Sequence, residues 1–401
     1  MRRTFGVYFL LTMISLIVLA FLAPAAMAHS TQATADGLGG AFLTFGTIDI
    51  FATRTMLPPV MQLKRPLTFL LDTFFKGTKQ FNTAFVDIDI YSRHRKMAAF
   101  VSPLMEGKVM NRLGKTTNTF TPPYIKPKRP TTVGDLLVAQ PGEGVYSPGV
   151  TQEQRALSLL MQDIMDLDDA ITRREEWMAA SALTTGSINV VGDGVNANVN
   201  FGQNTAHQVT LTGAALWTAT STANPIKNFT TWANQCRQDS GVNPDTVVMG
   251  SAAAAAFIAW ISVPANATGR QLSSMKLTLG QIQPTQLAEG VTFLGTLMAP
   301  SINVDLYQYD EWYFDEVSQT ELPMIPANMV VLGSTRAANN KLYGAIQNVN
   351  AVAEMGQGSF SVPRFPSSWT TNDPSVRWLM LESASLVALN QPDAFVNAVV
   401  C

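Results

Sequence analysis

TQEQRALSLLMQDIMDLDDAITRREEWMAASALTT, Thr151 to Thr185, is a long helical pattern that neither Pro nor Gly interrupts. Within it Leu157, Leu160, Ile164, Leu167, Ile171 and Met178 recur at steps of three, four and seven, which lays one apolar stripe along one side of a helix. Thr151 and Gln154 stand at capping-box spacing, where a hydroxyl and an amide side chain satisfy N–H groups of the first turn. Gly186 follows as the stop signal. At about 1.5 Å per residue the helix is roughly 50 Å long, longer than a small domain is wide, so it reads as a spine for the rest of the chain. Trp177 lies off the stripe. Asp163, Asp166, Asp169 and Arg173 are expected to form a solvated face, with Asp169 and Arg173 at the supportive i,i+4 spacing. An EF-hand needs alternating ligands, a turn Gly and a terminal Glu at fixed offsets, and this acidic run has neither the Gly nor the alternation.

The surrounding composition suits a large globular protein. Of 401 residues, 47% are hydrophobic, enough for a substantial core and more than one domain. Net charge is −2 and only 14% of residues are charged, so no strong field marks nucleic acid or an acidic membrane as the main partner. With 18 Met and 22 Pro in such a low-charge chain, much surface is expected to lie against other protein. Two cysteines, Cys236 and Cys401, are too few for a disulfide framework and leave the redox compartment open.

Residues 1–28 have the pattern of a secretory leader: Arg2 and Arg3, an apolar run from Val7 to Leu22, then Ala26-Met27-Ala28. Residues 29–47 have linker composition. The segment 49–85 carries Pro58, Pro59 and Pro66, which keep its helices short. Phe85, Val86, Ile88 and Ile90 predict a strand, and Met97 to Val101 a second extended piece after the basic Ser92 to Lys96 turn. Ser102 to Pro148 is too rich in turn formers for a packed core; with further extended pieces at Val109-Met110 and Tyr124-Ile125, residues 86–150 read as a projecting arm and its return strand. After the spine, Gly192-Asp193-Gly194 between Ile188 to Val191 and Val195 to Phe201 predicts a hairpin, which closes the unit 151–216. From 217 to 350 helices and strands alternate: a helix from Pro225 to Ser240, a strand Thr246 to Met249, a helix capped by Ser251, and strands at Val291 to Leu294, Val304 to Tyr309 and Met329 to Leu332. Asp310 to Pro326 is a polar, aromatic excursion between two of these strands. Residues 351–401 add Arg377 to Ala388 and Ala394 to Val400. The whole predicts an α+β chain with a mixed sheet.

Catalytic patterns are missing from the sequence. His29, His94 and His207 make neither HExxH nor a Cys/His zinc spacing, and His207 without a GxSxG elbow reads as a surface histidine. Gly192-Asp193-Gly194 lacks the Lys or third Gly of a phosphate-binding loop. Two cationic clusters, Arg93, Arg95 and Lys96, and Lys126, Lys128 and Arg129, suit solvated turns, a neighbour's carboxylates or phosphate. No catalytic residue, metal ligand or cofactor site is expected.

Val101-Ser102-Pro103, Gly107, Val109, then Phe120-Thr121-Pro122, Tyr124 and Lys126-Pro127-Lys128 resemble, in order and spacing, the major capsid proteins of lambda-like tailed phages. Val331-Leu332-Gly333 continues the likeness, and so do Pro366, Trp369, Thr371, Asp373-Pro374, Pro392-Asp393 and Phe395-Val396. It covers about Asp49 to Val400. The resemblance implies the tailed-phage capsid fold of Hong Kong 97 type, with an extended arm, a peripheral domain carrying the long spine helix and a mixed-sheet axial domain. It also implies a structural protein, not an enzyme, whose copies assemble as pentamers and hexamers into an icosahedral shell around double-stranded DNA. Portal, scaffold and decoration proteins are the further partners implied, with no cofactor and no small-molecule substrate. Val101, Ser102, Pro103, Gly107, Val109, Phe120, Tyr124, Lys126 and Lys128 are then the expected intersubunit arm. A nanocompartment shell of the same fold, enclosing an enzyme, and a secreted surface protein are the alternatives. The chain departs from the family pattern at Ser385, where relatives tend to have Pro, and in residues 1–28, whose exported character conflicts with a virion protein assembled in the host cytoplasm.

Overall fold

A computed structural model describes residues 68–83, 85–91, 97–109, 115–137, 152–263, 285–288, 290–299, 301–316, 318–348, 358–373 and 375–401. The leader, the linker, Thr151 with its capping role, the basic 92–96 turn and Met110 lie outside them.

The spine helix runs Gln152–Thr185 and ends where Gly186 takes a positive φ of 69°. A side chain there would be strained, and a Cβ would also meet Gln203, so Gly is the residue that fits. The stripe divides between two cores. Leu160, Ile164, Leu167 and Ile171 pack on Leu379 and Leu381 of a 13-residue strand, Val376–Ala388. Met178, Ala179, Ala180, Ala182 and Leu183 belong to a larger cluster with Leu70, Phe74, Phe75 and Phe395. Leu157, expected on the stripe, is 46% exposed, and the cluster on that strand begins at Leu160.

Val376–Ala388 organises a six-stranded sheet. Phe365–Thr371 and Asn340–Tyr343 pair with it antiparallel, and Gly77–Gln80 adds to Asn340–Tyr343 in parallel. Tyr124–Ile125 and Lys128–Thr131 also pair with it, so this part of the expected 86–150 arm is built into the body. A second sheet of seven strands is mixed: Thr246–Met249 lies parallel to Ile302–Tyr309 and antiparallel to Met329–Gly333, which pairs with Val396–Val399. All four residues of Thr246–Met249 are buried, as a central strand covered on both faces requires. The helices Pro225–Asp239 and Ser251–Ser262 cover one side through Phe229, Trp232 and Phe257, with Trp217 from the preceding turn packed among them. The hairpin Ser187–Gly192/Val195–Asn200 turns at Gly194, φ 75°.

Several expectations are corrected. Val86–Tyr91 pairs with Lys115–Phe120, and Met97 to Val101 carries no strand; the polar run KTTNTF hides a strand held by backbone bonds. Ser251 is the first residue of its helix, with Gly250 at the cap position and no side-chain cap bond. Asp163 is buried and accepts from Arg129 at 2.7 Å, so it is no part of a solvated face. His207 is fully buried, with Nδ1 2.9 Å from the Phe395 carbonyl and Nε2 2.8 Å from Asp239; it is a core residue and not a surface one.

Candidate assembly surface

The strands Val86–Tyr91 and Lys115–Phe120 form a hairpin in register from Val86↔Phe120 to Tyr91↔Lys115. Its root is fixed: Val86 is fully buried, and the half-buried Phe120 ring lies 6.0 Å from that of Phe201. Beyond the strands, residues 97–109 have no regular structure apart from a turn in which Met105 N–H donates to the Ser102 carbonyl at 2.9 Å. Each of these thirteen residues is exposed. Met97 (90%), Phe100 (103%) and Leu104 (97%) are almost wholly in solvent, and Val101, Met105 and Val109 are exposed with them. Burying such a side chain gains about 1.5–3 kcal/mol, so six of them leave on the order of 10 kcal/mol of apolar stabilisation unused by the isolated subunit.

The return from the hairpin behaves differently. Tyr124 donates its hydroxyl to the Ala345 carbonyl at 2.9 Å. Lys126 lies over the Tyr124 ring and 3.3 Å from buried Glu382, and Lys128 lies over the Trp378 ring. Arg129 bridges Asp163 and Asp166 of the spine, both at 2.7 Å. The nine residues singled out in the sequence therefore separate into two groups. Val101, Ser102, Pro103, Gly107 and Val109 share the exposed segment, whereas Phe120, Tyr124, Lys126 and Lys128 are fastened within the subunit.

The spine is held to the body by ionic groups whose sequence positions gave little sign of burial. Arg364, 2% exposed, donates from Nε to Asp168 at 2.6 Å, from Nη1 to Glu175 at 2.8 Å, and from Nη2 to Glu175 and to Thr172, both at 3.2 Å. Burial works against its charge, but Glu175 and Asp168 more than offset this and hold the guanidinium pKa above its ordinary value. One residue on, Glu176 accepts the N–H groups of Leu70 and Leu71 at 2.8 and 3.1 Å and the Tyr309 hydroxyl at 3.0 Å. It thus joins the spine to the short helix Phe69–Phe74 and to the seven-stranded sheet. Burial pushes its pKa up to about 7, against those three donors. Asp168, Thr172, Glu175 and Glu176 lie at i, i+4, i+7 and i+8, a helical spacing that marks one face; nothing local marks Arg364, 189 residues from Glu175, as its partner.

A second exposed apolar patch lies on the hairpin Trp312–Asp315/Thr320–Pro323, where Trp312 and Phe314 are more than half exposed. Among the described residues no cluster of His, Cys, Asp or Glu is placed to hold a metal ion.

Residues 52–400 match the model of a family described as phage major capsid protein E. The major capsid protein of Enterobacteria phage P21 is 28% identical over 364 residues, 86% of this chain and 98% of that one. That of Escherichia phage lambda is 29% identical over 331 residues, covering 82% and 92%. Among solved structures, a putative capsid protein of a prophage from E. coli CFT073 superposes with a TM-score of 0.64 at 19% identity, over 87% of this chain and 99% of the other. At that identity the superposition speaks for the fold.

Proposed function

Because the chain belongs to the phage major capsid protein E family, we propose that its exposed segment 97–109 acts between subunits, each copy reaching onto a neighbour as the shell forms. The fold is the tailed-phage capsid fold, and the protein is a major capsid protein of a tailed phage or prophage whose copies assemble into the shell of the virion. The finer reading is that the copies close as pentamers and hexamers and that packaged DNA meets the inner surface by weak, non-specific contact. Portal, scaffold and decoration proteins are the further partners of this reading, and no substrate is turned over. The family match begins at residue 52 and does not include the leader-like residues on which the secreted alternative rested.

One observation carries the intersubunit role: six large apolar side chains stand exposed on a segment with a fixed root. An isolated subunit gains nothing from that arrangement, whereas a neighbour that covers the segment recovers the apolar term and orders the chain as it docks. Obligate interfaces bury more than about 2,000 Å² in total, and an arm adds such area without enlarging the core. Replacing residues 98–108 by a short Gly-Ser linker tests the reading. The urea unfolding midpoint of unassembled subunits is expected to stay within experimental scatter of the parent, while particle formation fails. Particles of normal size and stability from this variant would refute the role of the arm.

A further inference from the structure

The hairpin Trp312–Asp315/Thr320–Pro323, which follows Tyr309 of the seven-stranded sheet, has two unlike faces. Its register sets Trp312 opposite Pro323 and Phe314 opposite Glu321 on one face, and Tyr313 opposite Leu322 on the other. Tyr313 turns toward the body, its ring edge-on to Trp177 of the spine at 6.5 Å. Trp312, Phe314 and Glu321 are exposed. The shape is set without a partner: the Asp315 carboxylate accepts the Ser318 N–H at 3.0 Å and its hydroxyl at 2.7 Å, Gln319 N–H donates to the Asp315 carbonyl at 2.8 Å, and Met324 N–H closes onto the Glu311 carbonyl at 2.8 Å. From Asp310 to Pro326 the sequence holds five carboxylates, Asp310, Glu311, Asp315, Glu316 and Glu321, and no Lys or Arg.

Exposed aromatic faces beside carboxylates are the chemistry that receives Lys and Arg on apolar stems, through cation–π contact and charge-assisted hydrogen bonds. Residues 92–115 of this same chain have the complementary composition: Arg93, Arg95, Lys96, Lys108, Arg112 and Lys115 against Glu106 alone, with Met97, Phe100, Leu104 and Met105 among them. Within one subunit the described part of that segment and the hairpin face are both exposed, so neither covers the other. We infer that the acidic, aromatic hairpin of one copy is the seat for the basic, apolar arm segment 92–115 of a second copy. The inference rests on the intersubunit role of the arm and names its receiving surface. Two different patches meet in such a contact, so it is heterologous and repeats from copy to copy around a closed ring.

Photo-crosslinking of the full chain reads this directly. p-Benzoylphenylalanine in place of exposed Phe314 leaves the packed Tyr313 face untouched. Irradiation of particles assembled from equal amounts of isotopically light and heavy chains is expected to join position 314 to residues 92–115 of the other chain. Crosslinks to other segments only, or none in well-formed particles, would overturn the assignment. Charge reversal gives the second readout. Glu316→Lys with Glu321→Lys, and separately Arg93→Glu with Arg95→Glu, are each expected to lower particle yield about 10-fold, and their combination to restore most of it. Unchanged unfolding of the subunits shows that the loss lies in assembly. If the arm reversal blocks assembly while the hairpin reversal assembles normally, the arm still acts between subunits but its seat lies elsewhere, and the inference falls alone. Normal yield from both, or no recovery in the combination, overturns it as well.

Discussion

Replacing Arg364 by Met removes the one guanidinium that meets both Asp168 and Glu175 while keeping a long side chain in the space. All three side chains are at most 4% exposed, so no solvent stands ready to take over. Breaking a buried ion pair from one side costs about 3–5 kcal/mol, since the remaining charge keeps its desolvation penalty and loses its partner. Here two carboxylates are left buried without their shared cation, so a loss of about 4 kcal/mol at pH 7 is expected. Urea unfolding of unassembled subunits at pH 7 measures it. Substituting Asp168→Leu and Glu175→Met in the same chain is expected to recover most of the stability, because an apolar set of similar volume carries no desolvation cost. A loss below about 1 kcal/mol at pH 7, or no recovery when the two carboxylates are replaced as well, would refute the view that this network holds the spine to the strand-bearing segment after Pro363.

Glu176 predicts the opposite sign of pH dependence from an ordinary salt-bridged acid. Its folded pKa of about 7 lies above the unfolded value near 4.5, so the folded state binds the proton more readily, and its contribution to stability falls by roughly 3 kcal/mol as pH rises from 4.5 to 7, then levels off. Glu176→Gln is expected to remove that slope from the unfolding free energy; a variant that keeps it contradicts the assignment. Leu160→Asp sets a carboxylate into the cluster of Ile164, Leu167, Leu379 and Leu381 and is expected to cost several kcal/mol, read as loss of soluble subunit. Soluble, normally assembled Leu160→Asp would remove the stripe assignment. In Gly333→Ala the new methyl would clash with the ring of Phe395, which is itself fully buried, so about 1–3 kcal/mol of overpacking is expected in thermal unfolding, and an unchanged midpoint would show that the ring yields.

Much of the fold was legible where periodicity is local. The spine from 152 to 185, the turn at Gly194 and the buried strand Thr246–Met249 follow from residues a few positions apart. What sequence spacing could not show were partners far along the chain. Asp163 reads as part of a solvated face with Asp166 and Asp169, and nothing in the spacing singles out Asp168, Glu175 and Glu176, until Arg129, Arg364 and the N–H groups of Leu70 and Leu71 are brought to them. His207 is hidden for the same reason, its Asp239 lying one helix away and its carbonyl partner, Phe395, near the C-terminus. Lys115–Phe120 escaped because its pairing with Val86–Tyr91 rests on backbone bonds and its residues do not alternate in polarity. For the assembly surface, the turn-rich composition of 102–148 pointed to an arm but not to where it rejoins the body; that boundary depends on Tyr124, Lys126 and Lys128 finding Ala345, Glu382 and Trp378. The alternation of Trp312 and Phe314 among carboxylates was a readable sign of a second surface, and it passed as an excursion between strands.

Hydrogen exchange by mass spectrometry, on unassembled subunits and on assembled particles of the same chain, tests the central claim that residues 97–109 are exposed in the subunit and covered by a neighbour in the shell. The amides of this segment are expected to exchange at near-unprotected rates in the subunit, in keeping with a single backbone turn at Met105, and to slow by orders of magnitude in particles, while spine amides such as that of Ile171 stay protected in both. Fast exchange of 97–109 in intact particles would contradict the account.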